Sequence, residues 1–156
     1  MAKKWTADKA LVDSVAASLM ELLPLFPKRM VRVDELVREH GMPFSHVQIM
    51  VMLLDGDLSV GELSGRLSIA KPNITPLVDN LRNHGWVERI RDERDRRIVN
   101  IHLTEAGRSK AAEMQADIAR QTMQWNGEFS RSEIKELNQA LATVIRIARG
   151  IRSEDE

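Results

Sequence analysis

The chain has 156 residues, of which 43% are apolar and 29% charged, a balance typical of one soluble globular domain. It contains no cysteine, which excludes a disulfide framework, a thiolate metal site and a thiol-based redox sensor. Its formal net charge at pH 7 is zero, so the chain as a whole is neither a uniformly basic nor a uniformly acidic polymer.

The N-terminal region predicts two helices. Thr6 is the predicted N-cap of the first, and Pro24 and Pro27 are expected to end or bend it. Residues 31–41 predict a shorter second helix closed by Gly41. The first helix carries apolar residues at helical spacing, namely Leu11, Val12, Val15, Leu19 and Leu22.

Two short helices joined by a tight turn follow. Ser45 with Gln48, and Ser59 with Glu62, have the spacing of capping boxes, each predicting the start of a helix. The first of these helices is nearly all apolar and should lie in the core. The second places Leu63 and Leu67 on one face, and residues 55–57 form the predicted turn between them.

The next predicted helix lies within residues 71–84 and ends before Gly85. It has a buried stripe of Ile74, Leu77, Val78 and Leu81. Its opposite face is small and polar. Pro72 suits a first helical turn, whereas Pro76 suits it only if Asn73 is the N-cap, so two starts remain open.

Two strands are predicted at 86–91 and 97–103, joined by a charged loop. Thr104 then caps a long helix that runs to about Trp125, and Gly127 breaks it. Ser130 with Glu133 is a third capping-box pair. It starts a last helix with the apolar residues Ile134, Leu137, Leu141, Val144, Ile145 and Ala148.

This order predicts a winged helix-turn-helix, in a chain that is mainly α with a small β-hairpin. A helix with a polar outer face fits the major groove of B-DNA, and an arginine-bearing hairpin can reach phosphates or the minor groove. Residues 66–110 support a polyanion as partner, since they hold ten Lys and Arg against six Asp and Glu.

The residues predicted to contact double-stranded DNA belong to three groups. The helix-turn-helix contributes Ser59, Lys71, Pro72, Asn73, Thr75, Pro76 and Asn80. The strands contribute Arg89, Arg91 and Arg97, and the loop contributes Arg94 and Arg96. Asp92 and Asp95 are predicted to pair with neighbouring arginines and to hold the loop in one shape before DNA binds.

The loop and the following strand resemble the wing signature of the MarR (multiple antibiotic resistance regulator) family. The matching pattern is Asp-x-Arg-Asp-x-Arg, a strand, then Leu-Thr-x-x-Gly, here Asp92, Arg94, Asp95, Arg97, Leu103, Thr104 and Gly107. Residues 77–89 resemble the end of the family's recognition helix and its first wing strand. The likeness covers about residues 44–110 well, and the terminal helices only in general character.

The resemblance implies a homodimeric, ligand-responsive transcriptional regulator, usually a repressor, that reads a palindromic operator. One domain spans 1–156, with dimerisation helices at about 1–40 and 105–150 and a winged-helix lobe at about 44–104. The apolar residues assigned to the dimer are Leu11, Val15, Leu19, Leu137, Leu141 and Ile145. Small effectors are implied between the dimer helices and the lobe. Many members have an arginine where this chain has Pro76, and the peroxide-sensing branch has a cysteine that is missing here.

Other functions are considered beside this one. The alternative is an architectural DNA-binding protein without sequence preference, and a winged-helix adaptor for proteins is a further one. No nucleophile elbow, phosphate loop or zinc-protease motif is visible, so we expect no enzyme and no cofactor. The four histidines, His40, His46, His84 and His102, lack the spacing of metal ligands, so no metal is expected.

The sequence also predicts where the protein resides. The longest uninterrupted apolar run, residues 49–54, is much shorter than the ~20 residues that cross a bilayer. No apolar stretch follows the first lysines, so no signal peptide is expected. We therefore expect a cytoplasmic protein with no membrane partner.

Overall fold

The computed structural model describes residues 8–92, 95, 97–124, 128–148 and 150. It is mainly helical with one small sheet, which confirms the predicted fold class. The elements in chain order are α1 (Lys9–Leu25), a π turn (Phe26–Met30), α2 (Val33–His40), α3 (Phe44–Met52), a 3-10 turn (Leu53–Asp55), β1 (Leu58–Ser59), α4 (Val60–Leu67), α5 (Lys71–Asn83), β2 (Val87–Arg91), β3 (Val99–Leu103), α6 (Glu105–Met123) and α7 (Arg131–Ala148).

The start of α1 differs from the prediction. Asp8 is the N-cap, and its Oδ1 accepts the backbone N–H of Ala10 at 3.1 Å. The predicted cap, Thr6, lies outside the described residues, as do Trp125 and Gly127. Pro24 lies inside the last turn of α1 and does not end it, because a proline there removes only one helical hydrogen bond.

One of the three predicted capping boxes is wrong. α3 begins at Phe44 with Pro43 as N-cap and no side-chain cap, so Ser45 is already inside the helix. The Ser59–Glu62 box is present: Glu62 Oε2 accepts the Ser59 N–H at 2.7 Å, and Ser59 Oγ accepts the Glu62 N–H at 3.2 Å. The hydrogen bonds from Ser59 hold the pKa of Glu62 below its usual value.

The other two predicted caps are confirmed. Ser130 and Glu133 form the same reciprocal bonds, at 2.7 Å and 3.3 Å, at the start of α7. Thr104 caps α6, with its Oγ1 accepting the N–H of Gly107 at 3.0 Å. Both caps are set by residues three positions apart, which is why the sequence alone located them.

α5 begins at Lys71, so the interpretation of Asn73 as N-cap is wrong. Ala70 is the N-cap, and its carbonyl accepts the N–H groups of Asn73 at 2.8 Å and Ile74 at 3.3 Å. Pro72 occupies the first turn, where its missing N–H costs nothing. Pro76 lies inside the helix and removes one hydrogen bond, so this helix continues past it.

The sheet has three strands rather than the predicted two. It has the order β1-β3-β2 and is antiparallel throughout. The predicted hairpin is β2 and β3, with Val87 opposite Leu103 and Arg91 opposite Val99. The additional strand, β1, has two residues and joins the segment before α4 to β3 through the pairing of Leu58 with Ile101.

The core lies between α3, α4, α5, the sheet and the first half of α6. Fifteen buried apolar side chains form one cluster, all between Met42 and Met114. Ile74, Val78 and Leu81 supply the buried stripe of α5, whereas Leu77 is only half-buried. The lobe therefore has its own core, to which α1 and α7 contribute no buried residue.

The helical stretch Lys9–Met30 is long and apolar enough to cross a membrane, with a mean hydropathy of 1.4, and none of it is buried. Asp13 and Glu21 interrupt its apolar residues, so no single long apolar run in the sequence predicted this stretch. Exposed apolar residues lie on α7 as well, among them Val144 and Ile145. An apolar helix face that is exposed in one chain is a place where a second surface can bind.

Stability is predicted to fall in acid because of His46. This residue is 5% exposed in α3, neither ring nitrogen has a hydrogen-bond partner among the described residues, and burial, then His84, lowers the pKa of its imidazole. Below about pH 6.5 the unfolded chain therefore binds more protons than the folded chain, and the free energy of unfolding decreases as pH falls. Urea unfolding at pH 7.5 and 5.5 should show this decrease. A His46→Gln variant should show a smaller one, and an equal pH dependence in both proteins would contradict the prediction.

Candidate nucleic-acid interface

The outer face of α5 consists of exposed polar and small side chains. Ile74, Val78 and Leu81 anchor the opposite face in the core, which fixes the rotation of the helix. The predicted contact residues on this helix are all exposed: Lys71, Pro72, Asn73, Thr75, Pro76 and Asn80. Ser59 is only half-buried, but its hydroxyl is already used in the cap of α4.

Asp79 connects this helix to the wing. One of its carboxylate oxygens lies 3.0 Å from Nη2 of Arg89 on β2 and 3.8 Å from Nη2 of Arg82. Arg89 was predicted to meet phosphate, and the structure shows that its guanidinium is held by α5. The positive charge of Arg89 offsets the negative charge of Asp79, which weakens the repulsion between this carboxylate and the phosphates of DNA. No spacing in the sequence predicts this contact, because Asp79 and Arg89 lie on different elements.

The loop between β2 and β3 is held by bonds from two aspartates. Asp92 Oδ1 accepts the N–H of Asp95 at 2.9 Å, and Asp95 Oδ1 accepts the N–H of Arg97 at 3.0 Å. Asp92 Oδ2 also accepts the side-chain amide N–H of Asn100 at 3.4 Å. These bonds join the aspartates to the loop backbone and to β3. The pairing of the aspartates with neighbouring arginine side chains stays a prediction, because Arg94 and Arg96 lie outside the described residues. Short aspartate side chains commonly hold turns in this way.

The arginines of the wing differ in their surroundings. Arg91 and Arg97 are exposed, and in the described part of the chain neither side chain forms an ion pair. Arg94 and Arg96, which were predicted to contact DNA, lie outside the described residues. Arg91 and Arg97 are thus available for a polyanion, while Arg89 already has a partner.

The segment Leu-Thr-x-x-Gly attaches the wing to α6. Leu103 is buried in the core, and Thr104 Oγ1 donates to the carbonyl of Gly85 at 2.7 Å. The Thr104 N–H donates to the carbonyl of Trp86 at 3.1 Å. A Cβ on Gly107 would lie 1.8 Å from that same carbonyl oxygen, so only glycine allows α6 to start this close to the chain that leaves α5.

A second contact fixes the far side of the sheet. His102 Nδ1 on β3 lies 2.7 Å from Oδ1 of Asp57, in the segment that leads into β1. Together with the β1–β3 pairing, it ties the helix-turn-helix to the wing strands. The surface formed by α5 and the two wing strands is therefore supported from both ends, and such a support limits the entropy that a binding surface loses.

The comparisons with known proteins agree with this geometry. The family model described as "MarR family" matches residues 40–98. YsmB of Bacillus subtilis (strain 168), an HTH-type transcriptional regulator, is 44% identical over 52 residues, which are 33% of this chain and 36% of that protein. The chain thus matches about two fifths or less of the first curated relatives.

Solved structures match over most of the chain. A MarR family protein from Bacillus stearothermophilus superposes with a TM-score of 0.68 and 26% identity, covering 92% of this chain and 99% of that one. NadR, solved in complex with 4-hydroxyphenylacetate, has a TM-score of 0.66 and 18% identity, covering 94% and 97%, which shows a shared fold. Residues 40–98 thus match the MarR family model, and the chain as a whole is similar to solved MarR family structures.

Proposed function

We propose that the protein is a DNA-binding transcriptional regulator that acts as a homodimer on a palindromic operator, as a ligand-responsive repressor. The observation that carries the proposal is the exposed polar face of α5, held beside a two-stranded wing with exposed arginines. A cytoplasmic location is part of the proposal, since the DNA target lies there.

The two parts of the surface have different tasks in this proposal. Asn73, Thr75 and Asn80 offer hydrogen-bonding groups of the kind that read base edges in the major groove. Arg91 and Arg97 are placed on the wing for phosphate contacts, which set affinity and position but carry no sequence information. Pro76 has no hydrogen bond to donate, so its ring can contribute only apolar contact, for example with a thymine methyl group.

The dimer is inferred from the terminal helices. Leu11, Val15 and Leu19 on α1 are each about half exposed, as is Ile145 on α7. Leu137 and Leu141 are half-buried on the same helix as Ile145. Burial of this apolar surface in a second copy would place two α5 helices on one side of the DNA, with half-sites one helical turn (about 10–10.5 bp) apart.

The response to a ligand follows from thermodynamic linkage between an effector site and the DNA-binding surface. NadR, which has the same fold, was solved with a phenolic acid bound. In this proposal a small anionic or phenolic effector binds between the terminal helices and the lobe. The dimer would have two conformations, which differ in the distance between its two α5 helices. An effector that binds more tightly to the conformation whose α5 distance does not fit DNA lowers the affinity for the operator, by the ratio of its affinities for the two conformations at most.

The second candidate is an architectural DNA-binding protein without sequence preference. The exposed arginines Arg91 and Arg97 favour it, because arginine contacts with phosphates do not depend on the base sequence. A competition assay on DNA from upstream of its own coding region decides between them. At fixed salt, a regulator should bind one site about 1000-fold or more tighter than random DNA, whereas an architectural protein should bind both alike. Failure to bind any DNA would overturn both.

Two variants should separate phosphate contacts from base contacts. Arg91→Gln is expected to weaken operator and random DNA equally and to lower the slope of log affinity against log salt by about one. Asn73→Ala is expected to weaken only the operator, by about 1–3 kcal/mol, and to leave the salt slope unchanged. Filter-binding titrations at several salt concentrations measure both quantities. Arg38→Gln, an exposed charge on α2, is the control and should change neither.

A further inference from the structure

The helices α2 and α6 are joined at both ends of α2 by polar groups. At its start, the Arg32 N–H donates to Gln121 Oε1 at 3.0 Å. At its end, Nε2 of His40 lies 3.1 Å from Oδ2 of Asp117. His40, Asp117 and Gln121 are all buried. Three buried polar groups at one helix contact are more than packing alone requires.

The His40–Asp117 contact lacks the geometry of a hydrogen bond. The His40 side chain is 1% exposed, yet neither of its ring nitrogens has a hydrogen-bond partner among the described residues, although Nε2 lies close to the carboxylate. A buried polar group left unpaired costs about 1–3 kcal/mol, so such a group calls for another partner. A ring nitrogen and a carboxylate oxygen that lie about 3 Å apart without a hydrogen bond between them are arranged like neighbouring ligand atoms of one metal ion.

Glu39 supplies a third possible metal-ligand atom beside His40 and Asp117. A carboxylate oxygen of Glu39, a ring nitrogen of His40 and an oxygen of Asp117 all lie within 4.8 Å of one another. Glu39 is exposed, so its side-chain torsions can bring the carboxylate closer. Both α2 residues lie in the last turn of that helix, where the carbonyl ends favour a cation.

We propose that Glu39, His40 and Asp117 bind a divalent transition cation of the zinc class. One imidazole and two carboxylates are a donor set that suits Zn²⁺, whereas Mg²⁺ and Ca²⁺ prefer oxygen donors alone. Three protein ligands leave a fourth position for water or a ligand group. The proposal does not depend on the proposed function, and such an ion would tie the end of α2 to α6.

The charged neighbours of the cluster are compatible with this ion. The guanidinium of Arg120 donates to Oδ1 of Asp117, which leaves Oδ2 to face His40. Ligating carboxylates commonly accept such a second hydrogen bond, which orients them. Lys110 also lies near His40 and is paired with Glu113 at 3.0 Å, so its positive charge is offset.

Calorimetric titration of the full chain with Zn²⁺, after removal of metal with a chelator, tests the site. We expect one Zn²⁺ per chain with a dissociation constant below about 10 µM, and no competition from Mg²⁺ at millimolar concentration. His40→Gln, Asp117→Asn and Glu39→Gln should each weaken binding about tenfold or more. Glu105→Gln makes the same change on α6 outside the cluster and should bind like the wild type.

Loss of Zn²⁺ binding in a variant can be distinguished from loss of its fold. Glu39 is exposed, so Glu39→Gln should fold like the wild type, and circular dichroism checks the other two variants. Zn²⁺ should also raise the unfolding temperature of the wild type, because an ion that binds only the folded state stabilises it. Absence of Zn²⁺ binding by the wild type, wild-type Zn²⁺ affinity in all three variants, or displacement of Zn²⁺ by Mg²⁺ would each overturn the proposal.

Discussion

Replacement of Gly107 by alanine is expected to destabilise the protein by about 3 kcal/mol, a large part of the stability of a domain of this size. The added Cβ would lie 1.8 Å from the carbonyl oxygen and 2.7 Å from the carbonyl carbon of Trp86. Both are backbone atoms, and the same oxygen accepts the Thr104 N–H, so neither can move without breaking the attachment of α6 to the wing. Alanine is the better helix former by about 1 kcal/mol, but the clash outweighs that gain.

Gly65→Ala is the matched control for this change. Gly65 is an exposed residue inside α4, and nothing lies within 4 Å of an added Cβ. There the helix propensity acts alone, and the variant should be as stable as the wild type or up to about 1 kcal/mol more stable. Urea unfolding followed by circular dichroism measures both. If Gly107→Ala unfolded at the same urea concentration as the wild type, the close approach of α6 to Trp86 would be wrong.

The parts of the fold that the sequence predicted correctly are those set by nearby residues. The capping pairs Ser59–Glu62 and Ser130–Glu133 span a single helical turn, and the apolar spacing of α5 identifies its buried side. In β3 the buried residues Ile101 and Leu103 flank the half-buried His102, as the predicted alternation requires, and the loop before this strand has a specific motif. Each of these signals is local, so a pattern in one short segment was enough to find it.

The features that the sequence missed depend on contacts between distant segments. The strand β1 has two residues, too few for any periodicity, and exists because β3 pairs with it. The Asp79–Arg89 bridge and the His40–Asp117 contact join different elements, so no spacing rule could reveal them. Ser45 fits a capping pattern as well as Ser59 does, yet Pro43 starts that helix earlier. A local pattern thus proposes a helix start, and the surrounding structure selects the residue that caps it.

Glutamate at both Leu19 and Ile145 is expected to abolish the proposed dimer and, with it, tight binding to the proposed operator. These side chains are 52% and 49% exposed in the single chain, so the change should cost the isolated fold little. In a dimer the four added carboxylates would be buried without partners, at a cost of about 3 kcal/mol or more, which raises the dimer dissociation constant 100-fold or more. A monomer also binds only one half-site, and loss of the linked second site should lower operator affinity about 100-fold.

Sedimentation equilibrium and operator titration measure these two losses. Ala17→Glu is the control, because residues two apart on a helix project about 200° from each other, so the new charge lies on the other face of α1 from Leu19. It should sediment and bind DNA like the wild type. A wild-type chain that is monomeric at micromolar concentration would contradict the proposed dimer. A flotation assay with lipid vesicles gives the second readout: if the wild type floats with the vesicles, the apolar stretch Lys9–Met30 binds a membrane instead. If the protein dimerises as proposed, the wild type should sediment as a dimer and should not float with vesicles, because the apolar faces of α1 and α7 would be covered by the same faces of the second chain.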